Sequence, residues 1–207
     1  GSSLRLRRLV KLKGRDMKVG KKGLIFQEAA KVFSQKGYEA ATIDEIAQNA
    51  GIAKGTIYYH FKGKRELFEF LIEKGIDALL ASIQEELATT EDPVEQIRKV
   101  INVQLDFFQG SQDFCVLLFS EILGPASKWK EGLTKFREKY LALLSRPIQK
   151  GQQLGQIRKV EPTVIIQCLL GAISTIALDS LLIGESCTRK ETILNLEDVI
   201  FRGILAK

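Results

Sequence analysis

Residues 42–64 of this 207-residue chain hold the side chains whose types and spacing best suit chemistry. They read TIDEIAQNAGIAKGTIYYHFKGK and combine hydroxyl, phenol, imidazole and lysine groups with only two acids. Such groups bond to phosphate oxygens and to the base edges that a DNA groove exposes. The residues predicted to contact DNA are Thr42, Lys54, Gly55, Thr56, Tyr58, Tyr59, His60 and Lys64.

The physical reasons for these contacts differ along the stretch. Lys54 and Gly55 begin a short predicted helix, whose free N–H groups and dipole attract phosphate. Gly55 also lets the backbone approach DNA closely, and Thr56 can offer a hydroxyl or a methyl group to a base. Thr42 and Lys64 stand at helix starts from which they can face the phosphate backbone.

Alternatives remain open for some of these residues. Tyr58, Tyr59 and His60 offer hydroxyl, aromatic and imidazole contacts, but Tyr59 could instead pack in the core. Lys62 and Lys64 could be plain solvated lysines. A metal role for His60 is not expected, because the chain has no second histidine.

A helix-turn-helix unit must position these groups. Thr42 is a typical helix N-cap, and Glu45 three residues later completes a capping box. Ala47 is small where two helices must cross closely, and Gly51 supplies a turn with positive φ. Ile57 then fills the apolar contact between the two helices. This spacing carries the second helix steeply across the first, so that its outer face can enter a major groove.

The same residues resemble the DNA-binding signature of the TetR family of bacterial transcriptional regulators. The likeness covers about residues 22–72, and the run Gly-Thr-Ile-Tyr-Tyr-His-Phe at 55–61 carries most of it. Ala53 departs from the pattern, since many relatives have a serine there that caps the helix and contacts a phosphate. The phosphate contact at this helix start is therefore expected from Lys54 instead. The resemblance implies an all-helical homodimer that presents two recognition helices to a palindromic operator. It also implies a small molecule, bound in the C-terminal domain, that changes the spacing of the DNA-binding units.

Hydrophobic periodicity predicts an all-α fold with about nine helices and no strand. Gly37 is expected to end the first helix, and Pro147 is expected to kink the seventh. The predicted domains are a basic arm at 1–21, a helix-turn-helix domain at 22–66, and a helical ligand-binding and dimerisation domain at 67–207. The predicted helices are about 22–37, 42–50, 54–60, 64–88, 93–109, 113–123, 127–153, 162–184 and 189–206.

The helix at about 162–184 is apolar nearly all round, which predicts burial on two sides. With the helix at about 189–206 it is expected to form a four-helix homodimer interface, as in the family that the chain resembles. A membrane span is the competing interpretation at this length. Polar residues along the helix, above all Asp179, argue against a membrane.

Seven aromatic residues lie on three consecutive predicted helices. Each taken singly is more simply a core residue, but together they suit a mostly apolar cavity for a lipophilic ligand. Weaker candidates for polar contacts to that ligand are Gln104, Cys115, Glu121, Gln167 and Asp179. The aromatic residues predicted to bind the ligand are Phe107, Phe108, Phe114, Phe119, Trp129, Phe136 and Tyr140.

The net charge of +6 belongs to the start of the chain. Residues 1–22 hold nine basic side chains and one acid, so the remainder is slightly acidic. DNA binding is therefore predicted from the placement of lysines rather than from bulk charge, although the tail could reach phosphates or a minor groove. Two interpretations of residues 1–16 remain open, a natural basic arm or a cloning or start-site artefact.

Composition and motifs exclude several classes of function. The sequence has no phosphate-binding loop, HExxH, GxSxG or paired metal-ligand spacing, so no catalytic residue, cofactor or metal is predicted. Three cysteines without a CxxC pair suit a reducing bacterial cytoplasm, and no secretory signal is expected. The prediction is a transcriptional repressor released from a palindromic operator by a lipophilic effector. The alternative is a DNA binder without an inducer, which a filled C-terminal core would favour.

Overall fold

The structure, a computed structural model, describes residues 21–123, 130–184 and 190–204. Within these residues it contains nine helices and no strand, which confirms the predicted all-α fold. Residues 1–20 of the predicted basic arm, Trp129 and Cys187 lie outside the described residues. The helices are α1 (Lys21–Ala40), α2 (Ile43–Asn49), α3 (Lys54–His60), α4 (Lys64–Leu87), α5 (Pro93–Gly110), α6 (Gln112–Leu123), α7 (Lys130–Gln153), α8 (Pro162–Ile183) and α9 (Lys190–Ile204).

The chain divides into two compact units. The first contains α1 to α3, the beginning of α4 up to residue 78, and also α6. The second contains the end of α4 together with α5, α8, α9 and most of α7. The separate assignment of a DNA-binding role to 22–66 and of ligand and dimer roles to 67–207 stays a prediction.

Aromatic and aliphatic packing holds the first unit together. Phe33 of α1 is fully buried and meets the ring of Phe68 edge-on, with 5.2 Å between centroids. The backbone of Gly37 has φ 75° and interrupts α1 at the predicted place, although helical residues continue to Ala40. The α6 helix packs along α1, and the Ser34 hydroxyl donates to the Asp113 carboxylate at 2.8 Å.

The second unit is built on the apolar faces of α5, α7, α8 and α9. Its α7 helix runs through Pro147, which is buried. A polar cluster joins α5 to α9, because Arg98 pairs with the buried Glu197 and its guanidinium lies 4.7 Å from the ring of Phe201. Asn102 also donates to Glu197, at 3.1 Å. Buried carboxylates require such partners, so this cluster fixes how α9 packs.

Candidate nucleic-acid interface

The start of α2 is held by the predicted cap. The Thr42 hydroxyl accepts a hydrogen bond from the Glu45 backbone N–H at 3.2 Å. The Glu45 carboxylate, which a full capping box would turn back towards Thr42, lies 2.7 Å from the ammonium of Lys36. One half of the predicted box is therefore present, and the other half is replaced by an ion pair to α1.

The turn between α2 and α3 has the geometry that the spacing predicts. Gly51 has φ 65°, and its N–H donates to the Gln48 carbonyl at 3.1 Å. The next N–H, of Ile52, donates to the Ala47 carbonyl at 3.0 Å. These two bonds form a Schellman motif, which ends a helix and needs a residue with positive φ. Ile57 of α3 is fully buried, so the side of α3 that carries Ile57 packs against the first unit and the opposite side faces outward.

Two tyrosines make the outer face of α3 aromatic and exposed. Tyr59 is 84% exposed and Tyr58 is 48% exposed. The alternative that Tyr59 packs in the core is therefore wrong. Thr56 and His60 are half-buried beside them, so both remain able to meet a groove from the edge of this face.

No contact with the described part of the chain requires residue 55 to be a glycine. Its backbone lies outside the positive-φ region, and an added Cβ would meet no atom within 4 Å. A helical glycine costs about 1 kcal/mol relative to alanine, so the fold alone would favour a larger residue here. This open, exposed backbone is what a close approach by a molecule outside the chain requires.

The two predicted phosphate-contacting lysines are each paired within the chain. Lys54 lies 2.6 Å from the Asp44 carboxylate, and this hydrogen bond is the main cause that raises the pKa of the ammonium group. Lys64 donates to the Glu39 carbonyl at 2.9 Å and lies 4.6 Å from the ring of Tyr38. A phosphate must therefore compete with Asp44 for Lys54, and with a backbone carbonyl for Lys64.

Sequence reasoning did not find the partner of Lys54. Asp44 belongs to α2 and Lys54 to α3, and the steep crossing of the two helices brings the side chains together. Ten residues separate the pair, which matches no same-face helical spacing, so no local pattern signals it.

The aromatic residues predicted to bind a ligand are divided between the two units. In the second unit, Phe107, Phe108, Phe136 and Tyr140 are all at least 90% buried. Those in the first unit, Phe114 and Phe119, are buried too.

Of the weaker polar candidates, Gln104 and Cys115 are buried, whereas Gln167 and Asp179 are exposed. The Glu121 side chain lies outside the described set. The described residues hold no group of three or more side chains suited to a metal ion.

An exposed stripe follows one side of α8. Val164 is 47% exposed and Leu182 is 77% exposed, and Cys168, Gly171 and Thr175 lie exposed between them. Their spacing of three to seven residues places them along one helix face. By length and composition α8 is also the one described helix that could cross a membrane, and a third of its most apolar window is buried.

Two sequence profiles match most of the described chain. Residues 25–71 match the bacterial regulatory proteins of the tetR family, and residues 90–178 match a tetracyclin repressor-like C-terminal domain. The chain belongs to the TetR family. The two matched regions correspond to the N-terminal helix-turn-helix and the helical C-terminal domain of that family, whose members are transcriptional regulators.

Individual relatives agree with this assignment. The chain is 32% identical over 99 residues to the transcriptional activator FasR of Mycolicibacterium smegmatis, and the alignment spans 48% of this chain and 45% of that protein. The chain thus spans about half the length of that curated relative.

Solved structures of the TetR fold are similar over more of the chain. A candidate fatty acid metabolism regulator of Clostridium perfringens has a TM-score of 0.78 and 28% identity, over 89% of this chain and 100% of that one. FadR of Bacillus subtilis, solved with stearoyl-CoA, has a TM-score of 0.73 and 20% identity, over 86% of this chain and 95% of that one. At that identity the second likeness shows the fold alone.

Proposed function

We propose that this TetR-family regulator is a repressor that binds a palindromic operator as a homodimer and is released by a lipophilic effector. The observation that carries the DNA-binding part is the exposed face of α3, with Tyr59 84% exposed and Gly55 open to solvent. Neither feature serves the packing of the first unit. Both suit a helix that lies in a major groove.

The proposed contacts divide into two classes. Thr42, Lys54 and Lys64 meet phosphates, which position the protein without reading sequence. Contacts from α3 to base edges select the operator. The residues proposed for that second class are Thr56, Tyr58, Tyr59 and His60, and Gly55 lets the backbone of α3 approach the DNA closely enough for these contacts.

The proposed homodimer uses α8 and α9. Apolar side chains remain exposed on both helices, among them Leu182 at 77% and Val199 at 70%. A second copy of the chain would cover these faces, and a two-fold dimer would match an operator of two half-sites. The exposed Asp179 and Thr175 on α8 suit a protein interface better than a lipid-facing surface. We therefore propose that the chain acts in the bacterial cytoplasm and does not enter a membrane.

The proposed effector carries a long apolar chain. The support is the buried aromatic set of the second unit and the likeness to regulators that are named for fatty acid metabolism. Stearoyl-CoA in the Bacillus subtilis protein makes a fatty acyl compound the first class to try. No catalytic step is part of this proposal, since a regulator needs only differential binding to its two states.

The experiment compares two lysines in matched settings. Lys54 pairs with Asp44 and lies 5.8 Å from the ring of Tyr58, whereas Lys74 of α4 pairs with Asp77 and lies 5.9 Å from the ring of Phe70. Both side chains are about half exposed. The substitutions Lys54→Ala and Lys74→Ala therefore remove the same charge from similar surroundings, but only the first lies on the proposed interface.

Duplexes that the protein selects from a random pool serve as the operator, and fluorescence anisotropy gives the affinity at several salt concentrations. Lys54→Ala is expected to weaken binding to all sequences and to reduce the slope of log affinity against log salt by about 0.9. Lys74→Ala is expected to leave that slope unchanged. Equal salt slopes for the two variants would show that Lys54 does not contact a phosphate. A random pool that yields no enriched duplex would reject the operator proposal itself.

A further inference from the structure

The second unit contains a buried polar pair in which one polar atom has no partner among the described residues. Gln104 of α5 and Tyr140 of α7 are 0% and 1% exposed. The Gln104 amide nitrogen donates to the Tyr140 phenol oxygen at 2.8 Å. The Gln104 amide oxygen is buried as well, and no described residue donates a hydrogen bond to it.

An unpartnered buried oxygen is costly. Leaving a buried polar atom without a partner costs about 1–3 kcal/mol, and native proteins keep few such atoms. Exchanging the amide nitrogen and oxygen does not remove the cost, because the phenol would then donate to the oxygen and leave the NH₂ group unpartnered. In either orientation, one end of the Gln104 amide is available inside the unit.

The surroundings of the pair are apolar and neutral. Phe108 lies one turn after Gln104 on α5, and Phe136 lies one turn before Tyr140 on α7, with 5.7 Å between the Phe136 and Tyr140 ring centroids. Burial raises the pKa of the Tyr140 phenol, and the only opposing influence is the hydrogen bond from Gln104. A cation facing the phenol would also lower that pKa. In the contacts themselves, Gln104 and Tyr140 are each other's only hydrogen-bond partners among the described residues, and no described lysine or arginine pairs with either of them.

We infer that Gln104 and Tyr140 bind the polar group of the effector, and that this group is neutral, an amide or a hydroxyl on a long apolar ligand. Both groups donate and accept hydrogen bonds, so either complements the free end of the Gln104 amide and the Tyr140 hydroxyl. A carboxylate would be buried here without a cation, which is far more costly than burying a neutral group. The inference rests on the proposed effector function and specifies the ligand class of that same site.

The test measures direct binding to the full chain by calorimetry, without DNA. The probes are octanamide, octanol and octanoate, which share similar apolar tails and differ in the polar group. The wild type is expected to bind octanamide and octanol at least about tenfold more tightly than octanoate, the ratio that 1.4 kcal/mol gives.

The double variant Gln104→Leu/Tyr140→Phe removes both partners and leaves no orphaned atom. It is expected to bind octanamide about tenfold more weakly, to bind octanoate with little change, and to keep or raise the Tm. The matched control is Gln84→Leu, which replaces an exposed glutamine at the solvent side of α4 and is expected to change neither affinity. The isosteric single variant Tyr140→Phe gives a second reading of the same preference if the double variant does not fold.

The contrary outcomes are distinguishable. If octanamide binds equally to the wild type and the double variant, the inference is wrong while the effector proposal stands. If the wild type binds stearoyl-CoA but none of the three probes, the inference is wrong while the effector proposal stands, and if it binds neither, the effector proposal fails and the inference fails with it.

Discussion

Tyr140 shows how burial alone changes the chemistry of a residue. Its phenol is enclosed by the second unit, and this burial raises its pKa above the ordinary value of 10.0. The raised pKa means that the folded state favours the neutral phenol. The contribution of Tyr140 to the free energy of unfolding is fully present below the pKa that its phenol has in the unfolded chain. It is lost as the pH rises from there through the pKa of the phenol in the folded chain.

The variant Tyr140→Phe is therefore expected to alter the alkaline stability of the protein. Above about pH 10 the unfolded chain releases the Tyr140 proton and the folded chain keeps it, so the free energy of unfolding falls by up to about 1.4 kcal/mol per pH unit from this group. Urea unfolding of Tyr140→Phe at a series of alkaline pH values is expected to show a shallower decline than the wild type. Tyr58→Phe, which removes an exposed phenol, is the control. Identical slopes for the wild type and Tyr140→Phe would contradict this account.

At the scale of the element, α6 belongs to the first unit, together with the helix-turn-helix. It follows α5 after one residue, yet it packs along α1 and shares a hydrogen bond with it through Ser34 and Asp113. Its Phe114 ring also lies against α4 at Gly75, where an added Cβ would fall 2.1 Å from the ring Cε2 atom. The glycine is thus required by the close approach of a ring and not by its backbone angles.

Gly75→Ala is expected to destabilise the protein by about 1–3 kcal/mol, because overpacking outweighs the better helix propensity of alanine. Urea unfolding at fixed protein concentration measures this change. Phe114→Leu removes the clashing ring atoms, so Gly75→Ala is expected to cost less in that background, and a double-mutant cycle gives the coupling. Gly23→Ala in α1 is the control, since an added Cβ there meets nothing within 4 Å. A cost that is equal in both backgrounds would show that the Phe114 ring is not the cause.

At the scale of the whole molecule, Gly171 is the residue that best tests the proposed homodimer. It lies in the middle of α8, it is exposed in the single chain, and an added Cβ would meet nothing within 4 Å. Among the described residues of one chain, no contact therefore requires glycine there. The close approach of a partner helix, which small residues permit, would require it.

Gly171→Leu is expected to leave each chain folded and to break the proposed homodimer. The helix gains propensity from the change, while the leucine side chain separates the two α8 helices. Analytical ultracentrifugation is expected to show the 23.2 kDa chain mass for this variant and twice that mass for the wild type. Gly23→Leu, at an equally open helical position in the other unit, is expected to remain dimeric. If the Gly171→Leu variant remains dimeric, the two copies do not meet at Gly171 of α8.

Local chemistry in the sequence was enough to predict the helix-turn-helix. A capping threonine, a glycine at the positive-φ position and an aliphatic residue six positions later act over short stretches of chain, so their spacing encodes the turn directly. Apolar periodicity likewise predicted the helices and their buried faces. The sequence could also give the outer face of α3, but it left the burial of Tyr59 open, because an aromatic residue suits a core and an interface equally well.

Tertiary packing alone decided which distant groups meet. Asp44 reaches Lys54 because α2 and α3 cross. The α6 helix joins the first unit because it packs along α1. Gln104 meets Tyr140, which lies 36 residues later in the chain. Each of these pairings depends on how helices stack, and the period of a single helix carries no information about its neighbour. The charge of +6 follows the same division, since the sequence shows where the lysines lie but the fold decides which of them an acid already holds.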